Sequence, residues 1–350
     1  NSNRVHDAKM FSFSSKTERN AELRQDPITG KWVIISPQRA ERPQEFDTRP
    51  RRIRHGPCPF CPGNEELTPP ATLIKPNVSA SPQEPSWKVR VVPNKYPALV
   101  DSEDCAIESG IYRGRTGLGV HEVLIETPRH VQGISDLTRE EMLDVLEVLM
   151  SRLAALKSRE HLRYVMVFKN VGPLAGASVE HTHSQIIATP VIPPTIEAEL
   201  AGTGEFFRGH QSCIYCQIVQ YEIAKAVRTV QITPHFLAMC PFAARFPYET
   251  WILPRQHNAR FSDLERGLWG ELIQITKDLI QRIEQTIPGV GYNVILHDAP
   301  LHDDVPFYHW HIEILPSTAR PAGFEWGSGV HINSVFPEFA ARSLREGQAS

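Results

Sequence analysis

The chain has 350 residues, 41% of them hydrophobic and 22% charged, with a formal net charge of −3. That is the composition of a soluble globular protein of one large or two medium domains, and it leaves no basic surface for nucleic acid. No apolar run reaches the length of a membrane span and the N-terminus lacks the apolar stretch of a secretory leader, so we expect a cytoplasmic protein that engages neither nucleic acid nor membrane.

Residues 1–20 are polar and aperiodic and read as a disordered tail. The segment Asp26-Pro27-Ile28-Thr29-Gly30 predicts a turn into a strand over 31–36. Arg39 and Arg42 follow, three residues apart; guanidinium forks match phosphate oxygens, so the pair is either a phosphate clamp or a solvated loop. Arg51, Arg52 and Arg54 read as surface charge. Cys58-Pro59-Phe60-Cys61 is a turn carrying two thiols. In a chain without a leader, such a pair suits a metal better than a disulfide. A redox dithiol would want a helix beginning at the first cysteine. The Pro- and Ser-rich stretch 69–85 is a loop, and Trp87 to Val92 alternates as a strand that ends at Pro93-Asn94.

From here the chain repeats itself. Glu122-Val123-Leu124-Ile125, His130 and Ser135-Asp136-Leu137 return as Glu249-Thr250-Trp251-Ile252, His257 and Ser262-Asp263-Leu264. A helix follows in both copies, each announced by a capping-box signature, Thr138 with Glu141 and Ser262 with Glu265. Met142, Leu146, Leu149, Leu153 and Leu156 form one apolar stripe, as do Leu268, Leu272, Ile275 and Leu279. Tyr164 to Asn170 then matches Tyr292 to Asp298 as a buried strand. After a small-residue loop, Gly172 to Ser178, comes His181-Thr182-His183-Ser184-Gln185. Side chains alternate along a strand, so His181, His183 and Gln185 share a face, which is poor material for a core and good material for a site. Its counterpart is His309-Trp310-His311-Ile312-Glu313.

Strand, helix, strand, loop, strand, taken twice, predicts an α+β fold of two duplicated halves, 21–195 and 196–345, with antiparallel sheets each backed by an amphipathic helix. The duplication extends to the thiols. Cys58, Cys61, His130 and His181 form one candidate set; Cys213, Cys216, His257 and His309 form the second. Two closed four-ligand sets of this kind suit structural zinc, two ions per chain. Cys105 and Cys240 read as small hydrophobes. In the second copy Glu313 stands where Gln185 stands in the first, and a carboxylate there repels phosphate. We therefore expect one active centre and one degenerate copy that serves as scaffold.

On Cys58-Pro59-Phe60-Cys61-Pro62-Gly63-Asn64, Ser36 to Pro43, Phe168-Lys169-Asn170 and the run Gly176 to Gln185, the sequence resembles the galactose-1-phosphate uridylyltransferase family. This is the transferase branch of the histidine-triad superfamily, and the resemblance covers roughly Leu23 to Arg345. It implies two histidine-triad-like halves and His183 as a nucleophile that carries a nucleotidyl group. It implies Gln185 as holder of the phosphoryl oxygens, and Arg39, Arg42, Asn94, Asn170 and the loop Gly176-Ala177-Ser178 as the nucleotide and phosphate pocket. The implied reaction is exchange of UMP between UDP-glucose and galactose 1-phosphate, by ping-pong, in what the family suggests is a homodimer. Thr182 replaces the proline of the best-known members, and the second Cys-x-x-Cys departs from them too. These features, with Ala175 to Ser178 and Gly323 to Gly329, look closer to the plant-type ADP-glucose phosphorylases of the same family. Adenylyl transfer from ADP-glucose to phosphate through the same histidine is therefore the alternative. A zinc-stabilised nucleotide sensor without turnover is the competing class.

Overall fold

Short runs of Val, Ile and Leu bounded by proline and glycine make short strands, and the longest described strand has eight residues. The structure is a computed structural model that describes residues 20–41, 56–103, 105–318 and 320–347. The expected tail, apart from Asn20, and Arg42, Arg51, Arg52 and Arg54 lie outside the described residues.

The chain opens with a hairpin, β1 (Glu22–Gln25) and β2 (Trp32–Ile35). The first half supplies β3 (Leu73–Pro76), β4 (Trp87–Pro93), a hairpin of β5 (Ala106–Ser109) and β6 (Tyr112–Arg115), β7 (Val120–Ile125), helix α1 (Arg139–Lys157), β8 (Tyr164–Val171) and β9 (His183–Thr189). Helices α2 (Pro194–His210) and α3 (Ile214–Lys225) lead into the second half. There follow β10 (Thr229–Ile232), β11 (Phe236–Met239), β12 (Thr250–Pro254), α4 (Trp269–Thr286), β13 (Tyr292–His297) and β14 (His311–Pro316). Helix α5 (Gly323–Ser328), β15 (His331–Asn333) and α6 (Pro337–Glu346) close the chain.

The two halves do not form separate sheets. They fuse into one ten-stranded antiparallel sheet, in the order β3-β4-β7-β9-β8 and then β13-β14-β12-β11-β10. The order is a palindrome of equivalent strands, joined where β8 meets β13 with Phe168 opposite Ile295. Each copy alone would leave its innermost strand as an unpaired edge, and pairing the copies removes that edge. Helices α1 and α4 pack against each other and cover one face, burying Leu149, Leu153, Leu156, Ile275, Leu279 and Ile283 against Val89, Leu124, Ile186 and Ile314.

The strand pairing corrects the sequence match of β8 with β13 by one residue. Phe168 lies opposite Gln185 and Ile295 opposite Glu313, so the residue matching Asn170 is His297, not Asp298. The capping boxes also part company. Thr138 and Glu141 form theirs, with Glu141 N–H to Thr138 Oγ1 at 3.1 Å and Thr138 N–H to the Glu141 carboxylate at 2.8 Å. Ser262 and Glu265 do not, because two 3-10 turns intervene and α4 starts only at Trp269. Cys240 is buried as expected, whereas Cys105 is exposed.

The opening hairpin belongs in space with the second half. β2 pairs in parallel with β15, Arg24 bridges to Glu338 at 2.9 Å, and Ile28 packs with Cys213, Tyr215 and Trp251. Its turn lies so close to α2 that a Cβ at Gly202 would sit 1.7 Å from the Ile28 carbonyl oxygen, so only glycine fits there. Among the described residues no helix is long and apolar enough to cross a membrane.

Candidate active site

The sheet face away from α1 and α4 carries the polar side chains, because His183 and Gln185 alternate with Ser184 and Ile186 along β9. At the head of β9 the structure gathers Cys58, Cys61, His130 and His181, with their donor atoms all within 4.8 Å of one another. His181 Nδ1 lies 3.7 Å from Cys58 Sγ and 3.5 Å from Cys61 Sγ, and His130 Nδ1 lies 3.2 Å from Cys61 Sγ. Sulfur and nitrogen ligands of a tetrahedral zinc stand about 3.6 Å apart. His181 Nε2–H donates to the Thr127 carbonyl at 2.8 Å, which leaves the Nδ1 lone pair facing the thiols. Burial pushes His181 down to a pKa of about 4, against that hydrogen bond, so the ring is a neutral ligand.

Cys213, Cys216, His257 and His309 repeat the plan in the second half. His257 Nδ1 lies 3.4 Å from Cys216 Sγ, and His309 Nδ1 lies 3.8 and 3.6 Å from the two thiols. Both rings turn Nε2 to carbonyls, His257 to Pro306 and His309 to Pro254. The two thiol pairs differ in one respect. Cys58 to Cys61 is a turn, but Cys213 caps the N-terminus of α3 and Cys216 lies in its first turn. That is the placement a redox dithiol would have. The two imidazoles facing these thiols favour a metal.

Below the first cluster, His183 is held in one tautomer. Its Nδ1–H donates to the His181 carbonyl at 2.7 Å, so the Nε2 lone pair is free. Burial, and after it the charge of Lys169, presses its pKa below the ordinary histidine range and keeps the ring neutral. Phe60 packs on the ring edge at 5.2 Å. Gln185 follows on the same face. Asn94 comes beside it from the end of β4, its Nδ2 3.5 Å from Gln185 Oε1. Asn170 stands across from His183 on β8. Its Oδ1 accepts from Asn293 of the second half at 2.8 Å, so its amide hydrogens face elsewhere.

The loop gives less than its composition suggests. Gly172 and Gly176 take positive φ, and the amides of Ala175, Gly176 and Ala177 close the turn on the carbonyls of Gly172 and Pro173. The last residue of the loop, Ser178, is exposed. Arg39 sits exposed in the 3-10 turn after β2, and with Arg42 outside the described residues the expected arginine clamp is not assembled among them.

Sequence reasoning missed the support behind β9. Lys169 and Glu126 form a buried ion pair at 2.6 Å, each side chain 4% exposed. Thr182 and Ser184 both donate to the same carboxylate, and Lys169 also reaches the His183 carbonyl at 3.2 Å. Burial raises the Glu126 pKa, but Lys169, Ser184 and Thr182 outweigh it and the group stays ionised. A lysine within the apolar run Tyr164 to Asn170 was the available signal. Thr182, read as a departure from the best-known members, and Ser184 are thus both bonded to this pair. In the second half the positions of Lys169, Thr182 and Ser184 are held by Leu296, Trp310 and Ile312, all apolar.

Over His311 the space is filled. Tyr215 lies at 5.0 Å and His297 stacks at 4.7 Å. Glu199 and Glu313 hold the two nitrogens of His297 at 2.9 and 3.2 Å, and against burial they raise its pKa to about 10. Glu313 is also paired with Arg245 at 2.6 Å. Glu199, His297 and His311 lie within 4.8 Å of one another, but His297 already gives both nitrogens to carboxylates. His311 is fully buried, whereas His183 keeps 7% exposure.

Fold and site together define a duplicated, histidine-triad-like nucleotidyltransferase. The chain belongs to the galactose-1-phosphate uridyl transferase family, whose N-terminal domain model matches residues 12–193 and whose C-terminal domain model matches 199–321. It is 36% identical to the ADP-glucose phosphorylase of Arabidopsis thaliana, over 95% of this chain and 94% of that one. It is 29% identical to the galactose-1-phosphate uridylyltransferase of Thermotoga maritima, over 93% of this chain and 98% of that one. The crystal structure of an Arabidopsis thaliana ADP-glucose phosphorylase with bound ADP-glucose superposes with a TM-score of 0.79 at 35% identity, covering 93% of this chain and 99% of that one.

Proposed function

We propose that His183 attacks the α-phosphorus of a nucleoside diphosphate hexose and expels hexose 1-phosphate. A second phosphate then removes the nucleotidyl group from the ring. The observation that carries this reading is the 2.7 Å bond from Nδ1–H to the His181 carbonyl, which leaves a neutral imidazole with its Nε2 lone pair free. As Nε2 forms its bond to phosphorus, Nδ1–H stays on the carbonyl and stabilises the positive charge that develops on the ring. Gln185, Ser178 and the Asn170 amide spread the charge of the phosphoryl oxygens, the usual large electrostatic contribution. The leaving group is a phosphate, so no strong general acid is required.

Uridylyl exchange between UDP-glucose and galactose 1-phosphate is the activity that the family models and the uridylyltransferase relatives support. A second reading, adenylyl transfer from ADP-glucose to phosphate, is favoured by the higher identity to the Arabidopsis phosphorylase. The two four-ligand clusters suit structural zinc, the first pinning His181 and through it the neighbouring His183. A cytoplasmic location agrees with six cysteines that form no disulfide, and a homodimer agrees with the family. Intact-mass measurement after separate incubation with UDP-glucose and ADP-glucose, without acceptor, tests the proposal. A gain of one nucleotidyl mass on wild type names the base, and no gain with either overturns covalent transfer.

A further inference from the structure

Resting on the reading of Gln185 as a ligand of the transferring phosphoryl group, we infer that His121 is a positioning residue that sets which end of the Gln185 amide faces the site. His121 lies on β7, one strand from β9, with its side chain on the same sheet face. The Ala98 backbone N–H donates to His121 Nδ1 at 3.0 Å. A backbone amide can only donate, so Nδ1 carries the lone pair and the neutral ring carries its proton on Nε2. That Nε2 stands 2.8 Å from Gln185 Oε1 and donates to it. The amide oxygen of Gln185 is thereby turned toward β7, and its two N–H donors toward the site. Reversed, the amide would present an oxygen to the phosphate.

Asn94 agrees with this assignment. Its Oδ1 accepts from the Tyr96 N–H at 2.9 Å, which directs its Nδ2 at the same Gln185 oxygen. Asn94 Nδ2 also comes within 3.0 Å of His121 Nε2. Donation there would leave both ring nitrogens as acceptors, which a neutral imidazole cannot provide, so this approach is a contact between two donors. The second half has no such arrangement. The register of β12 against β14 puts Glu249, bonded to Arg245 and to the Trp251 indole, at the position of His121, and Glu313 replaces Gln185.

The test is a double-mutant cycle read on nucleotidyl-protein formation in a single turnover, using whichever of UDP-glucose or ADP-glucose charges wild type. Gln185→Ala lowers that rate on the order of 10²-fold. His121→Phe keeps the ring volume, loses the donor, and lowers the rate by about tenfold or more, with the dissociation constant for the nucleotide sugar little changed. In the Gln185→Ala background, His121→Phe has less than about a twofold effect, because nothing is left to orient. His121→Gln places an amide donor where Nε2 stood and restores most of the rate. Additive effects, or a His121→Gln variant no faster than His121→Phe at equal melting temperature, overturn the inference. Nitrogen-15 NMR of the His121 ring separates this outcome from failure of the function itself. The Nε2–H tautomer supports the inference, and an Nδ1–H tautomer overturns it. If wild type takes no label, covalent transfer fails and the tautomer still decides the orientation.

Discussion

At the scale of single residues, His181 and His183 are two positions apart and hold different duties. His181 turns Nδ1 to the thiols, and His183 turns Nδ1 to a carbonyl and keeps Nε2 free. His183→Asn should therefore cost roughly 10⁴-fold or more in kcat while metal content and melting temperature stay at wild-type values. His181→Asn should lose metal first. A His183→Asn protein that still takes up labelled nucleotide would sink the assignment. The buried Lys169–Glu126 pair allows a sharper test. Lys169→Met strands a carboxylate inside the protein, and should destabilise by about 3–5 kcal/mol in denaturant unfolding. Glu126→Leu with Lys169→Leu should recover most of that loss, since an apolar replacement removes both charges together. A double variant no more stable than Lys169→Met would show that the pair is held by more than its own charge balance. The histidines and thiols were legible in the sequence because alternation and duplication name them. The Lys169–Glu126 pair was not. Its partners are 43 residues apart, Glu126 just past the end of β7 and Lys169 on β8, strands that do not adjoin, and no local pattern predicts which strands become neighbours.

At the scale of elements, one sequence signature produced two outcomes. Thr138 and Glu141 close a capping box at the start of α1, where Glu141 also takes a bond from Thr127 and a paired one from Arg129. Burial raises the Glu141 pKa, but the bonds from Arg129, Thr127 and the Thr138 amide outweigh it and bring it down to about 2. A carboxylate depressed in the folded state stabilises the protein above its unfolded pKa, near 4.5, and that contribution disappears as pH falls toward 2. Glu141→Gln should accordingly cost about 1–2 kcal/mol at pH 7, after allowance for solvent screening. The difference from wild type should shrink steadily between pH 5 and 2, flanking the two values about which the group titrates. A difference that is flat across that range would refute the assignment. Glu265→Gln, from the box that does not form, should stay within about 0.5 kcal/mol. The signature was legible in both copies. What separated them was the start of α4, displaced to Trp269 by intervening turns.

At the scale of the whole molecule, the duplication explains why one sheet carries two unlike centres. The repeat was legible from spacing: His257 follows His130 by 127 residues, and His309 follows His181 by 128. The fusion of the copies into a single sheet through β8 and β13 goes beyond the two helix-backed sheets that the repeat implied. The return of the opening hairpin to the second half was not foreseen, because parallel pairing of β2 with β15 joins segments about 300 residues apart. These contacts set the two Cys/His clusters in different surroundings. The first stands directly above His183. The second anchors α3, against which Ile28 of the hairpin packs. We therefore expect about two zinc ions per chain by elemental analysis and a concentration-dependent loss of stability on chelation. Cys58→Ser and Cys213→Ser should each remove one zinc, with different consequences. Cys58→Ser should lower nucleotidyl-protein formation by on the order of 10-fold to 100-fold even where the fold survives, because His181 no longer anchors the head of β9. Cys213→Ser should lower the melting temperature and expose the opening hairpin to limited proteolysis near residues 20–41. The surviving folded fraction should still charge within about threefold of wild type, since β8 and β13 separate β14, preceded by His309, from β9 and His183. Equal loss of charging in both variants, at matched folded fraction, would show that the junction at β8 and β13 couples the two centres.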